Sequence, residues 1–180
     1  MLRIVPNILS IIRLLMAFAF IPVFIFEQHN AQSTVSLILY TLASVTDIID
    51  GYIARRFSVS SNLGKILDPL ADKLLQFIVS LCISCVEPMF CVIPLFLFIK
   101  EILMMIGAII LYKKKVVLSS NLYGKLASVI FFLLLFTMIG FRQYIVEPIK
   151  FCFIVIALLV SILAFYNYIK AYRNVKEQTT

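Results

Sequence analysis

Six apolar runs, each close to the length of a membrane-crossing helix, leave this chain few ways to fold. They lie at about Ile8–Phe26, Val35–Ala54, Gly64–Val86, Phe90–Tyr112, Leu122–Phe141 and Ile149–Ile169. A helix needs roughly 20 apolar residues to cross the hydrocarbon core. Backbone exposed to lipid must satisfy its own hydrogen bonds, so each run reads as a helix. The runs are too long for barrel strands and lack their alternation. Composition agrees: 63% of the 180 residues are hydrophobic and 14% are charged. A soluble domain carries about 45–50% and about 25% respectively. The expected fold is all-α, a single polytopic membrane domain over 1–180 with six transmembrane helices. The first run contains Arg13 and no small-residue cleavage site, so it reads as a retained span and not a cleaved signal peptide.

The formal net charge is +7, and the basic residues sit at the ends of the apolar runs. An anionic bilayer surface is therefore the expected partner, and nucleic acid is not. Arg3, the group Arg55, Arg56 and Lys65, the group Lys113, Lys114, Lys115 and Lys125, and the tail Lys170, Arg173 and Lys176 fall on one side if six spans alternate. The positive-inside rule places that side, with both termini, in the cytoplasm of a cell (inner or plasma) membrane. The four cysteines, Cys82, Cys85, Cys91 and Cys152, lie in apolar surroundings and read as small apolar side chains. His29 is the only histidine and reads as a solvated loop residue.

Nine acidic residues occur in the chain, and four of them are Asp47, Asp50, Asp68 and Asp72. Asp47, Asp50, Gly51 and Ala54 share one face of the second helix, and Gly64, Asp68 and Asp72 share one face of the third. The short connection makes the two helices neighbours, with their polar faces able to meet near the cytoplasmic boundary. Four carboxylates together raise one another's pKa, and ionised acids at a membrane edge need a partner. A hard divalent cation, Mg²⁺ or Mn²⁺, supplies that partner and leaves room for phosphate oxygens. The site is thus expected at the cytoplasmic ends of helices 2 and 3. A carboxylate not committed to metal could serve as general base. The small residues leave space for close approach of a ligand, and Arg55 could meet a diphosphate.

Four further readings follow from charge inside or beside the spans. Lys125, Arg13 and Lys73 are candidates for holding a phosphate group. Arg13 could instead snorkel to the surface, and Lys73 could neutralise the aspartates or snorkel. Lys100 and Glu101 are adjacent, so they are expected to point apart and to need separate partners. The Lys113–Lys115 run reads as a topogenic anchor.

From Asp47 the sequence runs D-x-x-D-G-x-x-A-R, then eight residues, then G-x-x-x-D-x-x-x-D. This resembles the signature of the CDP-alcohol phosphotransferases at every fixed position. The resemblance implies a six-helix, usually dimeric protein with a cytoplasm-facing site. It implies that Asp47, Asp50, Asp68 and Asp72 hold metal, and that Asp72 is the base deprotonating the acceptor hydroxyl. Asp47, Asp50, Gly51, Ala54, Arg55, Gly64 and Asp68 would surround the CDP moiety. The stretches RIVPNILSIIRLL and LGKILDPLADKLL look like those of the phosphatidylglycerophosphate synthases and of the cardiolipin synthases that use CDP-diacylglycerol. The resemblance thus implies CDP-diacylglycerol as donor and glycerol-3-phosphate as acceptor, with phosphatidylglycerol as the alternative. A small cation transporter is a competing reading, but the aspartates gather at one membrane face and trace no path across it. A non-catalytic relative is a third, against which the four intact aspartates speak.

Overall fold

The computed structural model describes residues 5–29, 33–57, 64–113 and 122–178. Its elements are α1 (Val5–Glu27), α2 (Thr34–Phe57), α3 (Gly64–Val86), a 3-10 turn (Pro88–Cys91), α4 (Val92–Lys113), α5 (Leu122–Phe141) and α6 (Glu147–Gln178). No strand occurs among the described residues. The six apolar runs are therefore six helices. The largest departure is α6, which continues past Ile169 through the polar tail to Gln178. That tail holds no Gly or Pro to stop a helix, so hydropathy ends there before helicity does.

Among the described residues, three stretches are long and apolar enough to cross a membrane: Ile8–Glu27, Thr34–Gly51 and Glu147–Asn167. A shorter apolar stretch, Leu126–Phe141, lies in α5. Large apolar side chains face outward along these helices, among them Leu15, Phe18, Ile38, Leu42, Leu159 and Leu163. Water would penalise such a surface at roughly 25 cal/mol per Å², whereas lipid tails do not. The chain is a membrane protein.

The helices form two compact units. The first comprises residues 1–88 with 135–144, that is α1, α2, α3 and the last turns of α5. Its organiser is α1, which packs along both α2 and α3. The buried positions of α1 are Ser10, Arg13, Ala17, Phe20, Phe24 and Glu27, spaced alternately by three and four residues. That spacing keeps one narrow seam in contact over the whole helix length. Within it, Phe20 and Phe24 stack with ring centroids 5.5 Å apart. The facing seam of α2 carries Ser36, Tyr40, Ala43 and Asp50 at a similar spacing. Arg13 meets Asp47 and Asp50 while Glu27 meets Val35 and Ser36, so α1 and α2 run antiparallel.

Among the described residues, α2 and α3 touch less than either touches α1. The ends of α2 and α3 whose polar faces are expected to meet, 52–57 and 64–66 with 68–69, have side chains outside the described residues.

The second unit comprises residues 89–134 with 145–180. Here α4 packs on α6. Its buried residues include Phe90, Ile93, Leu97, Phe131, Ile154 and Ala157. Within α4, Lys100 Nζ lies 3.1 Å from Glu101 Oε1. The expectation was that these neighbours point apart, yet the two charges meet. Both have long, flexible arms, and an apolar environment rewards bending them together more than the helical angle between them resists it.

Candidate active site

The site is built where α1 and α2 converge. Helix α2 continues without a break through Asp47 and Asp50, so their three-residue spacing puts both carboxylates on the side facing α1. Arg13 projects between them. Its Nη1 lies 3.0 Å from Asp47 Oδ1, and its Nη2 donates to Asp50 Oδ2. Arg13 is fully buried, as is Asp50, while the Asp47 side chain is 43% exposed. The snorkelling expected as one alternative for Arg13 does not occur, because α1 turns this residue into the helix seam. Desolvating a guanidinium costs several kcal/mol and is offset only by close, well-oriented carboxylates. The planar fork lets one cation serve two of them.

Asp72 lies in the same unit on α3, and its side chain is 29% exposed. Its Oδ2 is 3.3 Å from Lys73 Nζ, and its Oδ1 accepts a hydrogen bond of 3.2 Å from Gln76 Nε2. The buried phenol of Tyr40 on α2 stands within electrostatic reach of this carboxylate. Asp72 is thus held on both oxygens by groups that leave it partly open. Gln76 lies one helical turn on, a partner visible in the sequence only as a polar residue in an apolar run.

Gly51 follows Asp50 and is half-buried. Ala54 and Arg55 lie on α2, Gly64 and Asp68 on α3, and Lys125 on α5. The side chains of these five lie outside the described residues.

The donor chemistry suits a hard divalent cation. Asp47 and Asp50 present carboxylate oxygens, the donor type such an ion takes, to one positive centre, the Arg13 guanidinium. Among the described residues no three acidic, imidazole or thiol groups converge. The pair Asp47–Asp50 is what they bring together.

A second polar cluster lies at the other end of the same unit. Glu27, the last residue of α1, accepts from the backbone N–H of Val35 at 2.9 Å and of Ser36 at 2.8 Å. The Ser36 hydroxyl donates to the same carboxylate at 2.7 Å. Glu27 therefore caps the first turn of α2, where N–H groups lack intrahelical partners. Arg142 donates from Nη1 to Ser33 Oγ at 3.0 Å and from Nη2 to the Gln28 carbonyl, and lies 5.3 Å above the Phe24 ring. Burial lowers its pKa, while the nearby carboxylates of Glu87 and Glu27 act to raise it. An arginine so placed stays charged across the physiological range. Neither Glu27 nor Arg142 is among the site residues expected from the sequence. The available signal was an acid shortly before a helix that opens Ser-Thr-Val-Ser, and an arginine in an otherwise base-poor loop. His29 is exposed, as expected, and of the cysteines Cys82 is partly buried while Cys85, Cys91 and Cys152 are exposed.

Comparison with known proteins identifies the family. The CDP-alcohol phosphatidyltransferase family profile matches residues 3–166. The CDP-diacylglycerol--glycerol-3-phosphate 3-phosphatidyltransferase of Aquifex aeolicus (strain VF5) is 36% identical over 123 residues, 67% of each chain. The protein of the same name from Wigglesworthia glossinidia brevipalpis is 32% identical over 172 residues, covering 92% of this chain and 91% of its own. A cardiolipin synthase (CMP-forming) / mitochondrial hydrolase fusion protein of Schizosaccharomyces pombe is 38% identical over 84 residues, 47% of this chain and 13% of its own. The shared region contains α1 to α5 and all four signature aspartates, and the chain belongs to the CDP-alcohol phosphatidyltransferase family.

Proposed function

We propose that this protein transfers the phosphatidyl group of CDP-diacylglycerol to sn-glycerol-3-phosphate, forming phosphatidylglycerophosphate and CMP. The observation that carries the reading is the convergence of Asp47 and Asp50 on one cationic centre, inside a signature whose Asp72 stands partly open on α3. The long matches to relatives named for this reaction support the choice of donor and acceptor.

In this reading Asp47, Asp50, Asp68 and Asp72 hold divalent metal, Mg²⁺ or Mn²⁺. The bound metal supplies neutralisation of the diphosphate charge and of the departing CMP. Asp72 takes the proton from the acceptor hydroxyl, with Gln76 and Lys73 setting its orientation and charge balance. The acceptor oxygen bonds to the lipid-bearing phosphorus, and the bond from that phosphorus to the bridging oxygen breaks. CMP leaves with the electron pair. Gly51, Ala54, Arg55 and Gly64 surround the CDP moiety, with Asp47, Asp50 and Asp68 beside them. Lys125 and Lys73 are the candidates for the acceptor phosphate. Arg13, also a candidate from sequence, is engaged by two carboxylates in this structure.

Six crossings, with both termini and the site in the cytoplasm, fit the clustering of basic residues between α2 and α3, between α4 and α5, and after α6. The membrane is then the cell membrane, and both soluble glycerol-3-phosphate and the CDP head group reach the site from one side.

The deciding measurement is CMP release by purified protein given CDP-diacylglycerol. Release should require both glycerol-3-phosphate and divalent metal. Turnover with phosphatidylglycerol instead would assign cardiolipin synthesis, the reaction named in the Schizosaccharomyces relative. Metal flux through liposomes without any CDP-lipid would favour transport.

A further inference from the structure

Arg13 stands outside the aspartate signature, on a different helix, yet it touches two of the signature's carboxylates. Its burial is complete. It pins α1 to α2 at the point where the metal reading needs those same oxygens. A divalent ion of the magnesium type binds carboxylate oxygen at about 2.0–2.1 Å and demands near-octahedral access. A guanidinium hydrogen-bonded to those carboxylates fills part of that access.

We infer that Arg13 is the resident counter-cation of the metal-free site, and that a divalent cation binding at Asp47 and Asp50 displaces its guanidinium from these carboxylates. The inference rests on the proposed metal reading and adds a role that the signature does not assign.

Three physical consequences follow. Without metal, the two carboxylates remain compensated instead of repelling one another. Exchange starts at Asp47, whose side chain is exposed to 43%, since Asp50 is closed to solvent. Once displaced, the fork of Arg13 is a free two-pronged donor beside the metal, suited to a phosphate oxygen of the donor or acceptor.

The test uses the full-length protein in lipid nanodiscs and two readouts independent of turnover. Mn²⁺ affinity is measured by the resonance of free Mn²⁺ for the wild type, Arg13→Lys and Arg13→Gln. Removing the competing charge should tighten Mn²⁺ binding about tenfold or more in Arg13→Gln. Arg13→Lys, which keeps the charge and loses the fork, should fall between. Magnesium is then titrated into wild-type protein carrying isotope-labelled arginine side chains, with the Arg13 signal identified by its loss in Arg13→Lys. That signal should shift in step with metal occupancy.

An Arg13 signal unmoved at saturating magnesium overturns the inference even if Mn²⁺ binds and catalysis proceeds. Unchanged or weaker affinity in Arg13→Gln does the same. A wild type that binds no Mn²⁺ brings down the metal reading together with this inference. Should Arg13→Gln fail to fold, the wild-type titration and Arg13→Lys still decide.

Discussion

The two ends of the first unit use the same residue types for opposite purposes. At one end Arg13 joins Asp47 and Asp50, side chain to side chain. At the other, Glu27 receives the first N–H groups of α2, and Arg142 reaches the Ser33 hydroxyl and the Gln28 carbonyl. The Glu27 end ties charge to backbone, whose position is set by the fold. Those bonds satisfy groups that would otherwise be unpaired at a helix terminus. The Arg13 end ties charge to charge, and a second cation can replace one partner without breaking a helix. Asp47 is also open to solvent, whereas Glu27 is buried. A buried charge is therefore not by itself a mark of function. What separates the two is whether its partners are exchangeable.

The largest effects that would sharpen this contrast are catalytic. Chelating divalent metal should abolish CMP release, and Asp72→Asn should lower it by about 10²–10⁴-fold, the usual contribution of a positioned general base. Asp72→Asn should leave the unfolding temperature nearly unchanged, since the amide oxygen can still accept from Lys73 while Gln76 turns its own oxygen towards the new amide N–H. Retained turnover would remove Asp72 from the role of base.

Next in size comes the other end. Glu27→Ala leaves two backbone donors and the Ser36 hydroxyl without their carboxylate. The expected loss is about 3 kcal/mol of stability, from charge-assisted bonds worth roughly 1.5–3 kcal/mol. Thermal unfolding in detergent measures it, and Mn²⁺ affinity should stay at the wild-type value. A Glu27→Ala variant that kept its stability and lost metal binding would erase the distinction between the two ends.

Arg142→Met should cost less, about 1.5–2 kcal/mol, because Met keeps contact with Phe24 while the polar partners lie near a loop. A stabilised Arg142→Met protein would show that the arginine is not a structural tie.

The smallest effect is expected at Gly140, where α5 passes close to α2. A Cβ there would sit 3.0 Å from Leu37 Cδ2, the end of a flexible side chain. Gly140→Ala should cost up to about 1 kcal/mol, since Leu37 can change rotamer while the added methyl tightens a packed seam. A larger loss would mean that Leu37 cannot yield.

The sequence by itself determined six helices and the presence of a clustered acidic motif. Hydropathy and the rule that lipid-exposed backbone must bond internally act within each segment, so they can be read locally. The spacing of Asp47 and Asp50 likewise sets their common face before any neighbour is known. The end of α6 was less legible, because its last turns are polar and helicity there does not depend on hydropathy.

Only the tertiary structure decided which charges meet. It packed α1 against both α2 and α3, which turned Arg13 from a possible surface residue into the buried partner of two aspartates. It brought Arg142 to Ser33 and Gln28 across more than a hundred residues of chain. It also joined Lys100 to Glu101 against the helical angle between them. Such pairings depend on the rotation and depth of each helix relative to its neighbour. Those quantities follow from the sum of all packing contacts and leave no periodic trace in any one segment.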